Sequence, residues 1–203
     1  MVTIIDYGMG NLGSIQNMFK RIGTASEITG DKKRIASATK ILLPGVGAFD
    51  AAMEKIAETN LLEILNKKAL EDKVPVLGIC LGMQLLTNGS EEGNLAGLGW
   101  IDGETIKFNF AENSPLKVPH MGWNLIHPIK ASPLTADLPP EPRFYFVHSY
   151  YVQAKNPDNV LSITHHGHGF HSVVQQQNIY GAQFHPEKSH KFGMQLLANF
   201  SKL

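Results

Sequence analysis

Cysteine is almost missing from this chain: Cys80 stands alone, so no intramolecular disulfide can form, and a chain of this size without such a staple fits a reducing compartment. Net charge is missing as well. The 18 Lys and Arg balance the 18 Asp and Glu, leaving no bulk field to gather phosphate backbones or anionic lipid, which argues against nucleic-acid binding as a main function. No apolar run approaches the roughly 18 residues that span a bilayer, and Met1 to Gly10 lack the basic-then-apolar succession of a signal peptide. The expectation is a cytoplasmic protein, neither secreted nor membrane-spanning. With 203 residues, 43% of them hydrophobic, one substantial core and a single domain over 1–203 are the default.

What is there alternates. Val2 to Ile5 is a β-branched run that ends at Asp6 and gives way to a glycine-rich turn, after which Leu12, Ile15, Met18, Phe19 and Ile22 recur at helical spacing. Lys40 to Leu43 stops at Pro44-Gly45-Val46-Gly47, and Ala48 to Glu71 reads as two helices divided near Thr59-Asn60. Val74 to Ile79 suits a central parallel strand, followed by a helix over Leu81 to Asn88. Repeated strand, turn and helix units predict a three-layer α/β fold, with a mostly parallel central sheet and helices on both faces, whose ligands gather beyond the carboxyl ends of the strands. After Gly93 the texture changes to antiparallel hairpin extensions. Short strands are expected over Trp100 to Phe110, Met121 to Ile129, Arg143 to Gln153, Val160 to Thr164 and His171 to Gln176, with Pro133 to Pro142 a surface loop. Ile179 to His185 reads as one more strand, and Phe192, Leu196, Leu197 and Phe200 place an apolar stripe on a closing helix.

The sharpest local signal is Gly78-Ile79-Cys80-Leu81-Gly82 between an apolar strand and a short helix, a nucleophile elbow with sulfur in place of a hydroxyl. A side chain on so tight a turn needs neighbours without Cβ atoms, and the helix N-terminus beyond it supplies unpaired N–H groups and a positive dipole end, both of which favour thiolate. A thiolate nucleophile needs an imidazole to manage protons and a group to orient that imidazole. Of nine histidines, His185 ends the last expected strand in Phe184-His185-Pro186-Glu187, on the same sheet edge as Cys80, and Glu187 lies close enough to fix its tautomer. A lone cysteine is usually a buried structural thiol, but the flanking glycines turn that reading around; His-Pro-Glu taken singly is more often a capped strand end, and its pairing with the elbow reverses that. Acyl chemistry also requires oxyanion donors. The N–H of Leu81 is one, and Pro44-Gly45-Val46-Gly47 offers a second from Val46, though an ordinary turn explains that segment equally well.

Two other motifs compete. Gly8-Met9-Gly10-Asn11-Leu12-Gly13 has dinucleotide spacing, with Glu27 at 19 residues beyond Gly8. Against it, Asp6 and Tyr7 separate strand from glycine, and Glu27 starts a strand instead of ending one. His165-His166-Gly167-His168-Gly169-Phe170-His171 carries four imidazoles in seven residues, but with no Cys or carboxylate among them a solvated hairpin turn is the better reading.

The motifs together resemble the class I, triad-type glutamine amidotransferases. The likeness runs over nearly the whole chain, through Asp6 to Leu12, Pro44 to Phe49, Gly78 to Gln84, Pro119 to Asn124, Phe146 to Tyr150 and Gln183 to Ser189. Met121-Gly122-Trp123-Asn124, the Pro44 segment and Lys188-Ser189 resemble more narrowly the glutaminase subunits that form a heterodimer with a (β/α)₈-barrel cyclase. The resemblance implies that Cys80 is the nucleophile, His185 the general base and then acid, and Glu187 its orienting residue, with Val46 and Leu81 N–H groups as the oxyanion hole. It further implies that Gly47, Gln84, Glu92 and the backbone near Ser149 bind glutamine, Glu91 being the alternative to Glu92, and that Asn11, Met121, Trp123, Tyr145 and Lys188 meet the cyclase. No cofactor and no metal are implied. Coupling to the partner is expected to act through the Val46 peptide, turned away in the isolated subunit. The alternatives are a glutaminase subunit serving pyridoxal phosphate or anthranilate synthesis, a cysteine peptidase or related hydrolase, and an inactive regulatory subunit.

Overall fold

A computed structural model describes residues 1–203. Its first half follows the alternation of the sequence: β1 (Val2–Ile5), α1 (Leu12–Arg21), β2 (Ser26–Thr29), α2 (Lys32–Ala36), β3 (Ile41–Leu43), α3 (Phe49–Glu58), α4 (Leu62–Asn66), β4 (Val76–Ile79) and α5 (Leu81–Leu85). The second half is β5 (Gly103–Lys107), β6 (His120–Leu125), β7 (His127–Pro128), β8 (Arg143–His148), β9 (Tyr150–Ala154), β10 (Val160–His166), β11 (His168–Gln176), β12 (Ile179–Ala182) and α6 (His190–Lys202). The main sheet has the order β2-β1-β3-β4-β12-β11-β10-β7. It is parallel from β2 to β12 and antiparallel through β11, β10 and β7. Two antiparallel ribbons, β5-β9 and β6-β8, stand outside it.

The period of two along each parallel strand divides the core. Ile5, Ile41, Leu43 and Val76 face one layer, packed by Phe49, Met53 and Ile56 of α3 and by Leu65 of α4. Val2, Ile4, Leu42, Leu77 and Ile79 face the other, against Phe19 of α1 and Leu196, Leu197 and Phe200 of α6. This is the three-layer α/β architecture that the alternation predicted. The register sets Leu43 beside Gly78 and Ile79 beside Ala182, so the turns after β3, β4 and β12 open onto one edge.

Several expectations need correction. The helix after Cys80 ends at Leu85 and not at Asn88, because the 98–101 loop captures its last carbonyls: Leu98 N–H donates to Leu85 O, and those of Trp100 and Ile101 to Leu86 O. Arg143 to Gln153 is two strands, broken at Ser149, that belong to different ribbons. Strand pairing after Ile179 stops at Ala182, and His185 instead donates its N–H to Tyr145 O. The surface loop at Pro133 begins with a 3₁₀ turn whose Leu134 is buried, pinned by the Asn199 side chain donating to Leu134 O and Ala136 O. The histidine-rich stretch, by contrast, is the expected hairpin turn, with His165 and His168 exposed. It is the tip of the β10-β11 hairpin, turning at Gly167 (φ +78°), with His166 and His168 packed on Phe108.

Candidate functional site

Cys80 sits where β4 turns into α5, with φ +54° and ψ −114°. That is a region a side-chain-bearing residue occupies only under constraint from its surroundings. The constraint is visible. Cys80 N–H donates to Ala182 O at 2.8 Å, and its carbonyl accepts from the N–H groups of Met83 and Gln84. A Cβ on Gly82 would collide with Leu43 O, and one on Gly78 would lie 2.6 Å from Gly82 O. The glycines on either side of the elbow are therefore required by close backbone approach.

A cleft of about 370 Å³ opens at this edge, within the size range of small-molecule sites. Cys80, Leu81, Val46, Gly47, Gln84, Glu92, Ser149, His185 and Lys188 line it, together with Pro119, Val147, His148 and Tyr150. Nine of the residues singled out in the sequence thus meet in one place. Glu187 lies behind His185, its Oε1 at 2.8 Å from His185 Nδ1, with both side chains almost fully buried. Burial opposes charge on the His185 ring, but the nearby Cys80 sulfur and the hydrogen-bonded Glu187 carboxylate outweigh it, so its pKa is raised well above the ordinary histidine value. The ring is built to hold a proton between sulfur and carboxylate.

The supporting groups come from distant parts of the chain. Ser189 Oγ donates to His185 O at 2.6 Å and accepts from Tyr145 N–H. Gln183 Nε2 donates to Cys80 Sγ at 3.9 Å and Gln84 Nε2 to Gln183 Oε1. Tyr7 is buried and donates its hydroxyl to Pro44 O at 2.7 Å, tying the 44–47 turn to the start of the chain; burial, then the nearby Cys80, pushes its own pKa up. The elbow and that turn are in close packing, since a Cβ on Gly45 would lie 2.7 Å from Gly82 N. Glu92 accepts from Phe49 N–H at the start of α3, whereas Glu91 accepts from Lys107 N–H outside the cleft. Of the two acids, only Glu92 reaches the site.

Met121 and Trp123 are exposed, at 62% and 47%. Trp123 meets Tyr145 edge to face and stacks on His190, and Lys188 Nζ lies 5.5 Å from the Tyr145 ring centre. Trp123, Tyr145, His190 and Lys188 are thus in mutual contact beside the cleft, with Met121 on the same strand as Trp123; Asn11, exposed at the start of α1, shares none of their contacts. Of the glycines around the start of α1, Gly10 packs on Pro44, whereas Gly8 and Gly13 face open space. No three His, Cys, Asp or Glu side chains converge as a metal site, and no helix is long and apolar enough to cross a membrane.

Sequence reading missed Gln183, Tyr7, Ser189, His120 and His148 as contributors. All five stand in stretches that carry the family likeness, but none was given a role there.

Comparison with known proteins extends the geometry. The model of the family glutamine amidotransferase class-I matches residues 3–203. An imidazole glycerol phosphate synthase subunit HisH of Methanococcus maripaludis is 54% identical over 202 residues, covering 100% of this chain and 99% of that one. Subunits of the same name from Pseudomonas aeruginosa and Bdellovibrio bacteriovorus are 45% and 47% identical, each over 100% of both chains. Among solved structures, a glutamine amidotransferase from Thermotoga maritima shares the fold, superposing with a TM-score of 0.63 at 16% identity over 99% of this chain and 82% of its own.

Proposed function

Because the chain belongs to the class I glutamine amidotransferase family, we propose that it is the glutaminase subunit of an imidazole glycerol phosphate synthase, hydrolysing L-glutamine to glutamate and ammonia for histidine biosynthesis. The ammonia passes to a second subunit, a (β/α)₈-barrel cyclase that forms imidazole glycerol phosphate and an aminoimidazole carboxamide ribotide. The observation that carries this reading is a constrained Cys80 at a strand–helix elbow, sharing a cleft with a His185 held on Glu187. Relatives of that name match the chain from end to end, which favours this synthase over those of pyridoxal phosphate or anthranilate. A cytoplasmic location belongs to the same reading, since its chemistry needs a free thiol.

The geometry supports the following course for the reaction. Sulfur attacks the carboxamide carbon as His185 takes the thiol proton, and Glu187 steadies the imidazolium. The tetrahedral oxyanion is received by the N–H of Leu81 and, once the 44–47 turn is correctly set, by that of Val46. Collapse breaks the C–N bond while His185 gives its proton to the departing nitrogen, so ammonia leaves and a glutamyl thioester remains. Water then attacks the thioester, His185 takes its proton, and the C–S bond breaks to release glutamate. Glu92 pairs with the substrate ammonium, the Ser149 backbone with its carboxylate, and Gly47 and Gln84 shape the floor. Asn11, Met121, Trp123, Tyr145 and Lys188 form the partner face, with aromatic anchors at its centre.

Ammonia release from glutamine, measured with and without a barrel cyclase and its ligand, tests the reading. Full activity is expected only in the loaded complex and none with Cys80→Ala. Partner-dependent release that survives Cys80→Ala overturns the assignment, and strong turnover by the isolated chain overturns the gating at Val46.

A further inference from the structure

His148 lines the cleft, yet the reaction just described does not use it. Its Nδ1 lies 2.7 Å from Tyr150 O, and its Nε2 lies 2.9 Å from Nδ1 of His120. His120 in turn places Nε2 at 3.1 Å from Asn124 Nδ2. The proton positions follow from what each atom can do. A carbonyl only accepts, so His148 Nδ1 carries the hydrogen. The ring is neutral, since its burial among Phe108, Phe146 and Phe170 takes the His148 pKa down to about 3, so Nε2 is a bare acceptor and His120 Nδ1 must donate to it. His120 is neutral as well, taken down to about 4 by burial and then by His166. Its Nε2 accordingly accepts from Asn124. Asn124 fits, because Nδ2 also donates to His165 O while Oδ1 accepts from Leu125 N–H. Every donor in the chain points the same way, toward Tyr150 O.

That carbonyl is a junction. It also accepts from Gln84 Nε2 at 3.0 Å, and the preceding Ser149 O accepts from Phe108 N–H. Ser149 is the one residue between β8 and β9, which pair into separate ribbons; the β5-β9 ladder holds this wall of the cleft on one side, and side chains hold it from the other. At the far end, His120 and Asn124 lie on the inward face of β6, while Met121 and Trp123 between and beside them are exposed.

We propose that Asn124, His120 and His148 form a one-directional hydrogen-bond relay that positions the Ser149–Tyr150 wall of the glutamine cleft, with His148 and His120 as positioning residues and β6 as the anchor that links this wall to the partner face. The inference rests on the glutaminase reading, because Ser149 matters only if glutamine is the ligand. It separates the two rings from catalysis: His148 Nε2 is occupied by a donor and has no capacity to serve Cys80 as a base.

The test uses the full chain assembled with its cyclase subunit. In His148→Phe, which keeps the bulk and loses the donor, KM for glutamine rises about tenfold with kcat largely kept. His148→Asn, whose amide places a donor where Nδ1 stood, returns KM to within about threefold of wild type. His120→Phe, at a residue that does not line the cleft, raises KM several-fold without touching the ligand. Nitrogen-15 spectra of the histidine-labelled chain show both rings as the Nδ1–H tautomer. Unchanged KM in both Phe variants, or an Nε2–H tautomer at His148, overturns the relay. A wild-type complex that releases no ammonia overturns the glutaminase reading instead. Should His148→Phe fail to fold, the His120→Phe kinetics and the wild-type tautomers still decide.

Discussion

Cys80 takes a backbone conformation that favours glycine, and the surrounding carbonyl and N–H contacts hold it there. Strain at such a position costs on the order of 1–3 kcal/mol, sustained by the packing around it. Replacing the sulfur should therefore separate activity from stability. Cys80→Gly and Cys80→Ala both abolish ammonia release, but Cys80→Gly is expected to be more stable than Cys80→Ala by about 1 kcal/mol, because glycine accepts positive φ without a Cβ penalty. Urea denaturation of the two inactive variants measures it; equal midpoints would mean that the elbow is unstrained. His185 and Glu187 were readable as a pair from their two-residue separation, whereas Gln183 and Tyr7 became site residues only when β12 and β1 carried them to the same edge.

Between elements, one contact matters more than its residue type announces. Gly193 in α6 lies so close to the 3₁₀ turn Pro186–Lys188 that a Cβ there would collide with Pro186 O. That turn carries Glu187. Gly193→Ala must push α6 and the turn apart and draw Glu187 off His185; a displacement of about an ångström at a catalytic pair can cost on the order of a hundredfold in kcat. KM for glutamine should change less than kcat, since the groups assigned to glutamine binding, Gly47, Gln84, Glu92 and Ser149, come from other elements, and a kcat equal to wild type would show that the turn is free to follow. The helix starting at Leu81 was legible from the glycines and the apolar run, but its end was not, because its last carbonyls are bonded by Leu98, Trp100 and Ile101, far along the chain. The strand break at Ser149 was hidden for a related reason: both flanking segments alternate like strands, and the chain changes ribbons without a proline or glycine to mark it.

At the scale of the whole molecule, the buried rings make stability depend on pH. His148 and His120 have folded pKa values lowered to about 3 and about 4, mainly by burial, against about 6.5 when unfolded. Below about 6.5 the unfolded chain takes up protons that the folded chain refuses, so stability falls as pH drops toward the folded values, by up to about 1.4 kcal/mol per pH unit for each ring. His185 has the opposite sign: its pKa is raised, so its contribution is fully present below about 6.5 and is lost as pH rises through the folded value. Urea midpoints near about pH 5 should lie below those near about pH 7.5, and His148→Phe should flatten the difference. A wild-type curve level across that window would mean that the two rings are free to charge in place.

Local sequence determined the alternation of strands and helices, the glycine-flanked elbow that presents Cys80, and the adjacency of His185 to Glu187, because each depends on spacing or on sterics within a few residues. Only tertiary structure decided which acid of the Glu91–Glu92 pair faces the cleft, where the histidine-rich hairpin packs, and that His120 and His148 stand in line toward Tyr150 O. Those outcomes depend on strand register and on which carbonyl lies within reach of which donor, relations between residues tens of positions apart that no local pattern encodes.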